Sequence, residues 1–340
     1  MIARRALAAL GGIALALVGC GKSGQVTQFA PAGEVRFSVV STESTQAMSR
    51  YWRPILADMQ EQTGLKITPY YSNNYVPLVE ALRLKRTDAG WFSNQSGLEA
   101  VRRGGGEVFA RTLSPSGVDG YTSVLIVNAK SPLTVEKVLK CNKTLSFGLG
   151  DVLSTSGTLA PMTYLFAPRN IRPIDCFKQV RSRSNHQTNL VAVANGQLDV
   201  ATNNSTSLLL NRQSGGHEAD RVRVIWRSPV LPEDPIIWRK DLDPRVKEKL
   251  RQFFLTYGQG DSPEAVRARG YMAKVHIGGF KPADDSHLLP VREMEATEHW
   301  LEAKASGDQL RIAEAKVTLE GVRAQRIALE ARTRTPAAAQ

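Results

Sequence analysis

At 340 residues, 42% hydrophobic and 22% charged, the chain has an ordinary globular composition and room for two domains with real cores. Its formal net charge of +12 falls to +10 once Arg4 and Arg5 of an N-terminal export segment are set aside, a field that can steer anions. No concentrated basic run, stacking aromatic series or nucleic-acid motif accompanies that charge, so no nucleic-acid partner is expected.

The chain opens on a short basic segment, Met1 to Arg5, followed by an apolar run from Ala6 to Val18. That order is a secretory signal, too short for a well-anchored spanning helix. Leu17, Val18, Gly19 and Cys20 close it and resemble the lipobox of bacterial lipoproteins. The expectation is a signal over residues 1–19, a lipid on Cys20 holding the protein to a bacterial membrane, and a flexible Gly/Ser/Gln/Pro tether over residues 20–33. Two cysteines remain, Cys141 and Cys176, with no Cys-x-x-Cys or Cys/His cluster, so a zinc site is not expected. In an oxidising compartment they pair most simply with each other; the other reading is two buried thiols.

Glu34 to Val40 alternates and is β-branched, which predicts a strand. Ser41 to Gln46 then caps a helix ending at Thr63, and Leu65 to Tyr71 is the next strand, opening a parallel α/β sheet. A helix from Leu78 to Lys85, a short strand at Thr87–Phe92, a helix from Ser93 to Arg103 and an apolar strand from Gly120 to Val127 follow. The second block repeats the grammar. Strands at Thr144–Gly148, Phe177–Arg183, Gln197–Ala201 and Arg221–Arg227 alternate with helices opened by polar runs. Ligands of open α/β sheets bind at the carboxyl ends of the strands, where those runs lie.

One such run is Ser154, Thr155, Ser156 and Gly157, ahead of an apolar-periodic helix that tolerates Pro161 near its start. Taken alone it reads as an ordinary cap, since Ser and Thr oxygens accept from first-turn amides. In a cleft, the same hydroxyls and amides suit a tetrahedral oxyanion.

Further stretches, in order, carry a family resemblance: Asn74-Tyr75, Asp88 to Phe92, Gly120 to Asn128, Ser154 to Gly157, His186 to Gly196, Asp199 to Asn204, and Ser228 to Arg239. Over roughly residues 34 to 290 the chain resembles the phosphonate-binding lipoproteins of ABC importers, the phosphate/phosphite/phosphonate group of periplasmic binding proteins. The resemblance implies an α/β, two-lobed periplasmic-binding-protein fold of type II, each lobe a mainly parallel sheet flanked by helices. Lobe 1 would be residues 34–126 plus 227–290 and lobe 2 residues 127–226, hinged near 125–130 and 222–228. It implies capture of a phosphorus oxyanion by Ser154, Thr155, Ser156, Tyr75, Tyr121, His186 and Asp234, with Asn94, Asn204 and Thr206 as specificity positions. Delivery to an ABC permease and its ATPase, without catalysis and with neither cofactor nor metal required, follows from the same likeness.

Family members that bind aminoalkylphosphonates carry an acid shortly after the Asn-Asn pair; here the position is Thr206, so a ligand without an amine is expected. Residues 291–340 hold eight basic and eight acidic residues in a helical pattern punctuated by Gly307 and Gly321, with Pro336 to Gln340 expected to be disordered. A helix of this period packs back on the lobes or pairs with a second copy to make a homodimer. Two rival functions stay in view: a lipoprotein of this fold reporting to a membrane sensor, and a hydrolase with Ser154, His186 and Asp234 as a triad. An encoded neighbouring permease and ATPase would favour import, and the lack of a Gly-x-Ser-x-Gly elbow disfavours the hydrolase.

Overall fold

The computed structural model describes residues 33–116 and 119–334. The expected signal, Cys20, the tether up to residue 32 and the segment 336–340 lie outside the described residues.

In the first lobe, β1 (Glu34–Val40) leads into α1 (Thr45–Thr63), whose cap is Ser44, with Oγ accepting from the Ala47 amide at 3.2 Å. β2 (Lys66–Ser72), α2 (Val76–Arg83), β3 (Ala89–Trp91), α3 (Asn94–Arg102) and β4 (Gly106–Leu113) continue the alternation. The second lobe holds β5 (Tyr121–Asn128), α4 (Val135–Val138), β6 (Ser146–Gly150), a helix with widened turns over residues 155–166, α5 (Pro173–Cys176) and β7 (Gln179–Ser184). It continues with α6 (His186–Ala194), β8 (Val200–Asn204), α7 (Ser205–Gln213) and β9 (Val222–Leu231). The chain then returns to the first lobe through β10 (Pro235–Arg239), α8 (Pro244–Thr256), α9 (Pro263–Ala273) and β11 (Gly279–Pro282), and ends on α10 (Leu289–Ser306) and α11 (Gln309–Arg334).

The two sheets have the orders β11-β4-β10-β3-β1-β2 and β7-β6-β8-β5-β9. Both are mixed: β10 and β11 in the first and β5 in the second run against the other strands. Sheet membership moves the crossings away from the expected 125–130 and 222–228. β5 and β9 pair with each other from Asn128↔Val222 to Tyr121↔Leu231, so both belong wholly to the second sheet. The chain therefore passes between sheets after Leu113 and after Leu231. Pro229 does not stop β9, because β9 is an edge strand and the missing N–H breaks no ladder bond that the sheet needs.

The first lobe buries a large aromatic core that includes Phe37, Trp52, Phe109, Trp238 and Phe254. In the second lobe alternate β5 residues face opposite sides, as strand geometry dictates. Val124 and Ile126 pack under α6, while Leu125 and Val127 pack with Phe147, Phe166 and Phe177. Beside that second cluster Cys141 and Cys176 form a disulfide.

Gly307, at φ 73°, ends α10 in the left-handed conformation that glycine adopts without strain. Gly321, by contrast, sits inside the unbroken α11. α10 does pack back on both lobes. Glu295 accepts from Gln95 and Arg102 of α3, and the Met294 carbonyl accepts from Thr163 of the second lobe. α11 folds onto α10 through Glu293, which pairs with Arg323 and Arg326.

Candidate ligand cleft

The carboxyl ends of β1, β3, β6 and β8 and the two crossings face one another. Between them lies a cavity of about 50 Å³. Tyr75, Tyr121, Ser154, Ser156, His186, Asn204, Thr206 and Asp234, all named from sequence, line it.

The Ser-Thr-Ser run follows β6 at a close approach. A Cβ on Gly150 would stand 2.6 Å from the Gly157 Cα, so glycine is needed where the strand end meets the helix start. The three hydroxyls then divide. Ser154 Oγ accepts from the Gly157 amide at 3.0 Å, the expected cap, and also faces the cavity. Thr155 is fully buried and does not line the cavity; its Oγ1 accepts from the Gln95 amide of the other lobe at 2.8 Å. Ser156 Oγ faces His186 Nε2 at 3.3 Å and accepts from Asn204 Nδ2 at 3.2 Å. Ser123 Oγ donates to the Ser156 carbonyl and Thr202 Oγ1 to that of Gly157, which pins the turn to the sheet. Among the described residues the amides of Thr155 and Ser156 meet no acceptor, and first-turn amides are what an oxyanion uses.

Tyr75 occupies the cap position just before α2, and Tyr121 begins β5 at the crossing. Their phenols lie beside Ser154 and Ser156, and burial, then nearby carboxylates, pushes both well up from about 10. Both therefore remain O–H donors. Asn185 caps α6, holding His186 at its first position. Burial lowers His186 to about 4, so its imidazole is neutral at pH 7. Asp234 sits just before β10, where Asn94 Nδ2 donates to it at 3.2 Å; burial and then Glu233 push its carboxyl well up. Asn94 thus reaches the site through Asp234 and is not in the cavity wall. Thr206 follows the Asn204 cap of α7 and does line the wall.

The triad of the hydrolase reading is not assembled. His186 Nε2 points at Ser156 instead of Ser154, its Nδ1 has no partner among the described residues, and Asp234 is engaged by Asn94. No group of three or more His, Cys, Asp or Glu side chains suited to a metal occurs among the described residues.

Sequence reasoning missed Glu43, Trp91 and Glu233, which also line the cavity. Glu43 Oε1 accepts from Ser207 Oγ across the cleft at 2.6 Å, and burial pushes its carboxyl up to about 7. Around it the loop after β1 clasps the second lobe. The Thr42 carbonyl accepts from the His186 amide, the Glu43 carbonyl from Asn185 Nδ2, and Gln187 Oε1 from the Ser44 amide. Burial raises Glu233 to about 7 as well, against a bond from Thr112. Among the described residues no lysine or arginine lines the cavity. The run Ser41 to Ser44 was legible as a cap, but nothing local ties Glu43 to Ser207, 164 residues away.

A family profile described as the periplasmic phosphonate substrate-binding protein of ABC transporters matches residues 37–288. The chain is 39% identical over 261 residues to the phosphonates-binding periplasmic protein of Escherichia coli K12, covering 76% of this chain and 75% of that one. Among solved structures it is similar to the binding protein component of a Pseudomonas aeruginosa ABC phosphonate transporter, at TM-score 0.79 and 36% identity over 88% of this chain and 97% of the other. The fold is shared with a methylphosphonate-bound protein from Prochlorococcus marinus, at TM-score 0.67 and 19% identity over 77% of this chain and 97% of that chain. The matched family is one of transporter substrate-binding proteins and not of enzymes. The chain belongs to the periplasmic phosphonate-binding proteins of ABC transporters.

Proposed function

We propose that this protein captures a small, amine-free phosphorus oxyanion (a short-chain phosphonate, phosphite or phosphate) between its lobes and delivers it to an ABC permease and its ATPase. The reading is carried by the convergence of Tyr75, Tyr121, Ser154, Ser156, His186 and Asp234 on one cavity between two lobes. Phenol, hydroxyl and amide donors suit oxyanion oxygens without a full counter-charge. Asp234 and the ligand share one proton, which a phosphonate monoanion brings with it and a sulfate does not.

Size and charge narrow the cargo. A water needs about 10–15 Å³ of such volume, so the cavity of about 50 Å³ holds a phosphonyl group with at most a short substituent. Thr206 offers no charge to an ammonium where amine-binding relatives carry an acid. Losing such a charge-assisted partner costs about 1.5–3 kcal/mol. The lipid on Cys20 and a homodimer through α11, whose Leu310, Val317 and Ile327 are exposed, complete the proposal.

Calorimetric titration with phosphate, phosphite, methylphosphonate, 2-aminoethylphosphonate and sulfate tests it. Tight binding of one amine-free phosphorus oxyanion, lost in Asp234→Ala, is expected. Tightest binding of 2-aminoethylphosphonate would overturn the amine-free assignment, and silence across the panel would overturn the ligand class.

A further inference from the structure

A second and larger cavity, about 440 Å³, lies next to the ligand cavity, and one side chain, Leu210, lines both. Three segments pass from one to the other. α1 gives Met48 to the inner cavity and Arg50 to the outer; the end of α9 gives Lys274 to the outer, and Val275 beyond it to the inner. α7 gives Thr206 to the inner and Gln213 to the outer. Thr206 and Leu210 are four residues apart and Leu210 and Gln213 three, so they form one stripe on α7. At a rise of 1.5 Å per residue, Gln213 stands about 10 Å beyond Thr206 along the helix axis. Leu210 is midway and buried, yet among the described residues it belongs to none of the three apolar clusters. Its side chain stands between the two spaces.

We propose that Leu210 is the partition that limits ligand length, resting on the assignment of the inner cavity as the phosphonate site. Shortened to alanine, it joins the cavities and admits a phosphonate bearing a chain of several carbons. That chain would end near Arg50 and Lys274, neither of which has an acidic partner among the described residues. The class so admitted is phosphonates with a distal anionic end, carboxyalkylphosphonates, ahead of plain alkylphosphonates.

The test is calorimetry on the full wild-type chain, Leu210→Ala and Leu210→Val, with methylphosphonate, butylphosphonate and 4-phosphonobutyrate. Wild type should take methylphosphonate and reject both long ligands. Leu210→Ala should keep methylphosphonate with at most about tenfold weakening and gain at least about tenfold for 4-phosphonobutyrate, the scale of a methylene's fit in an apolar pocket. Leu210→Val should fall between. Adding Arg50→Ala to Leu210→Ala should erase the preference for the carboxylate-ended ligand over butylphosphonate. Wild type binding the long ligands as tightly as methylphosphonate would overturn the partition. So would Leu210→Ala, or Leu210→Val if the alanine variant does not fold, keeping methylphosphonate without any gain. Wild type silent to methylphosphonate, phosphite and phosphate alike would instead bring down the site assignment and the partition with it.

Discussion

Closure of the cleft is expected to depend on pH through Glu43, and Glu43→Gln isolates that dependence. With the lobes together Glu43 is only 8% exposed, and Ser207 of the opposite lobe donates to its carboxyl. Opening carries Ser207 away and returns Glu43 to water and to its ordinary value near 4.5, whereas burial in the closed form raises it to about 7. A carboxyl raised by closure favours the closed form fully below the lower value, and that favour is lost as pH rises through the upper one. With these two values the closure constant falls about 70-fold between about pH 5 and pH 8, on the order of 2.5 kcal/mol. Glutamine keeps the acceptor for Ser207 but does not titrate. Asp234, Glu233, His186 and the ligand itself also titrate, yet they do so equally in both proteins and cancel in the ratio. The assay is methylphosphonate affinity of wild type and Glu43→Gln at steps across this range. The wild-type affinity, divided by that of the variant, should drop by a factor of tens toward high pH. A ratio flat to within about threefold would refute the coupling of Glu43 burial to closure.

Thr155→Val removes the bond that the Gln95 amide makes across the lobes without touching the cavity wall. Leaving that amide unpaired costs about 1–3 kcal/mol, so ligand should leave about 5- to 100-fold faster with its rank order across phosphorus oxyanions unchanged, whereas Ser156→Ala should alter the rank order too; stopped-flow release separates the two. Replacing Cys141 and Cys176 by serine opens a loop spanning 35 residues. The chain-entropy relation gives about 4 kcal/mol, to be read as lowered denaturant resistance of the second lobe, and equal resistance with and without reductant would contradict it. Asp88→Ala strips a fully buried carboxylate from Arg36 and Arg239; a loss of about 3–5 kcal/mol is expected, seen as a fall in Tm, and an unchanged Tm would count against it.

Local signals carried much of the fold. Ser44, Ser93 and Asn185 cap helices inside the polar runs that mark them in the sequence, and each bond spans only three residues. Strand ends were harder. β8 was expected to stop at Ala201 but runs through Asn203 and Asn204. Those amides are tolerable in a buried strand because Asn203 Nδ2 donates to the His186 carbonyl and Asn204 Oδ1 accepts from Ser207. At the site, six of the seven ligand residues named from sequence meet at one cavity, while Thr155 turns away. The hydroxyl run reveals its chemistry, but which hydroxyl faces a ligand depends on the Gln95 amide arriving from the other lobe. Glu43 and Trp91 were passed over for the same reason, since their cavity-facing role exists only once the two lobes meet.

The absence of lysine and arginine from the cavity wall among the described residues fits a device that must open. Among the described residues three carboxyl groups line that wall, those of Glu43, Glu233 and Asp234. A cation among them would hold a desolvated internal ion pair, and removing one partner from such a pair costs about 3–5 kcal/mol. The cleft would then be held shut by its own side chains, with or without cargo. On the proposed reading neutral donors avoid this: Tyr75, Tyr121, Ser156 and the amides of Thr155 and Ser156 would bind an oxyanion strongly and water nearly as well, so that a ligand bridging both lobes adds to the balance toward closure. Among the described residues the lysines and arginines lie outside this wall, where they can draw anions toward the cleft without competing for its carboxyls.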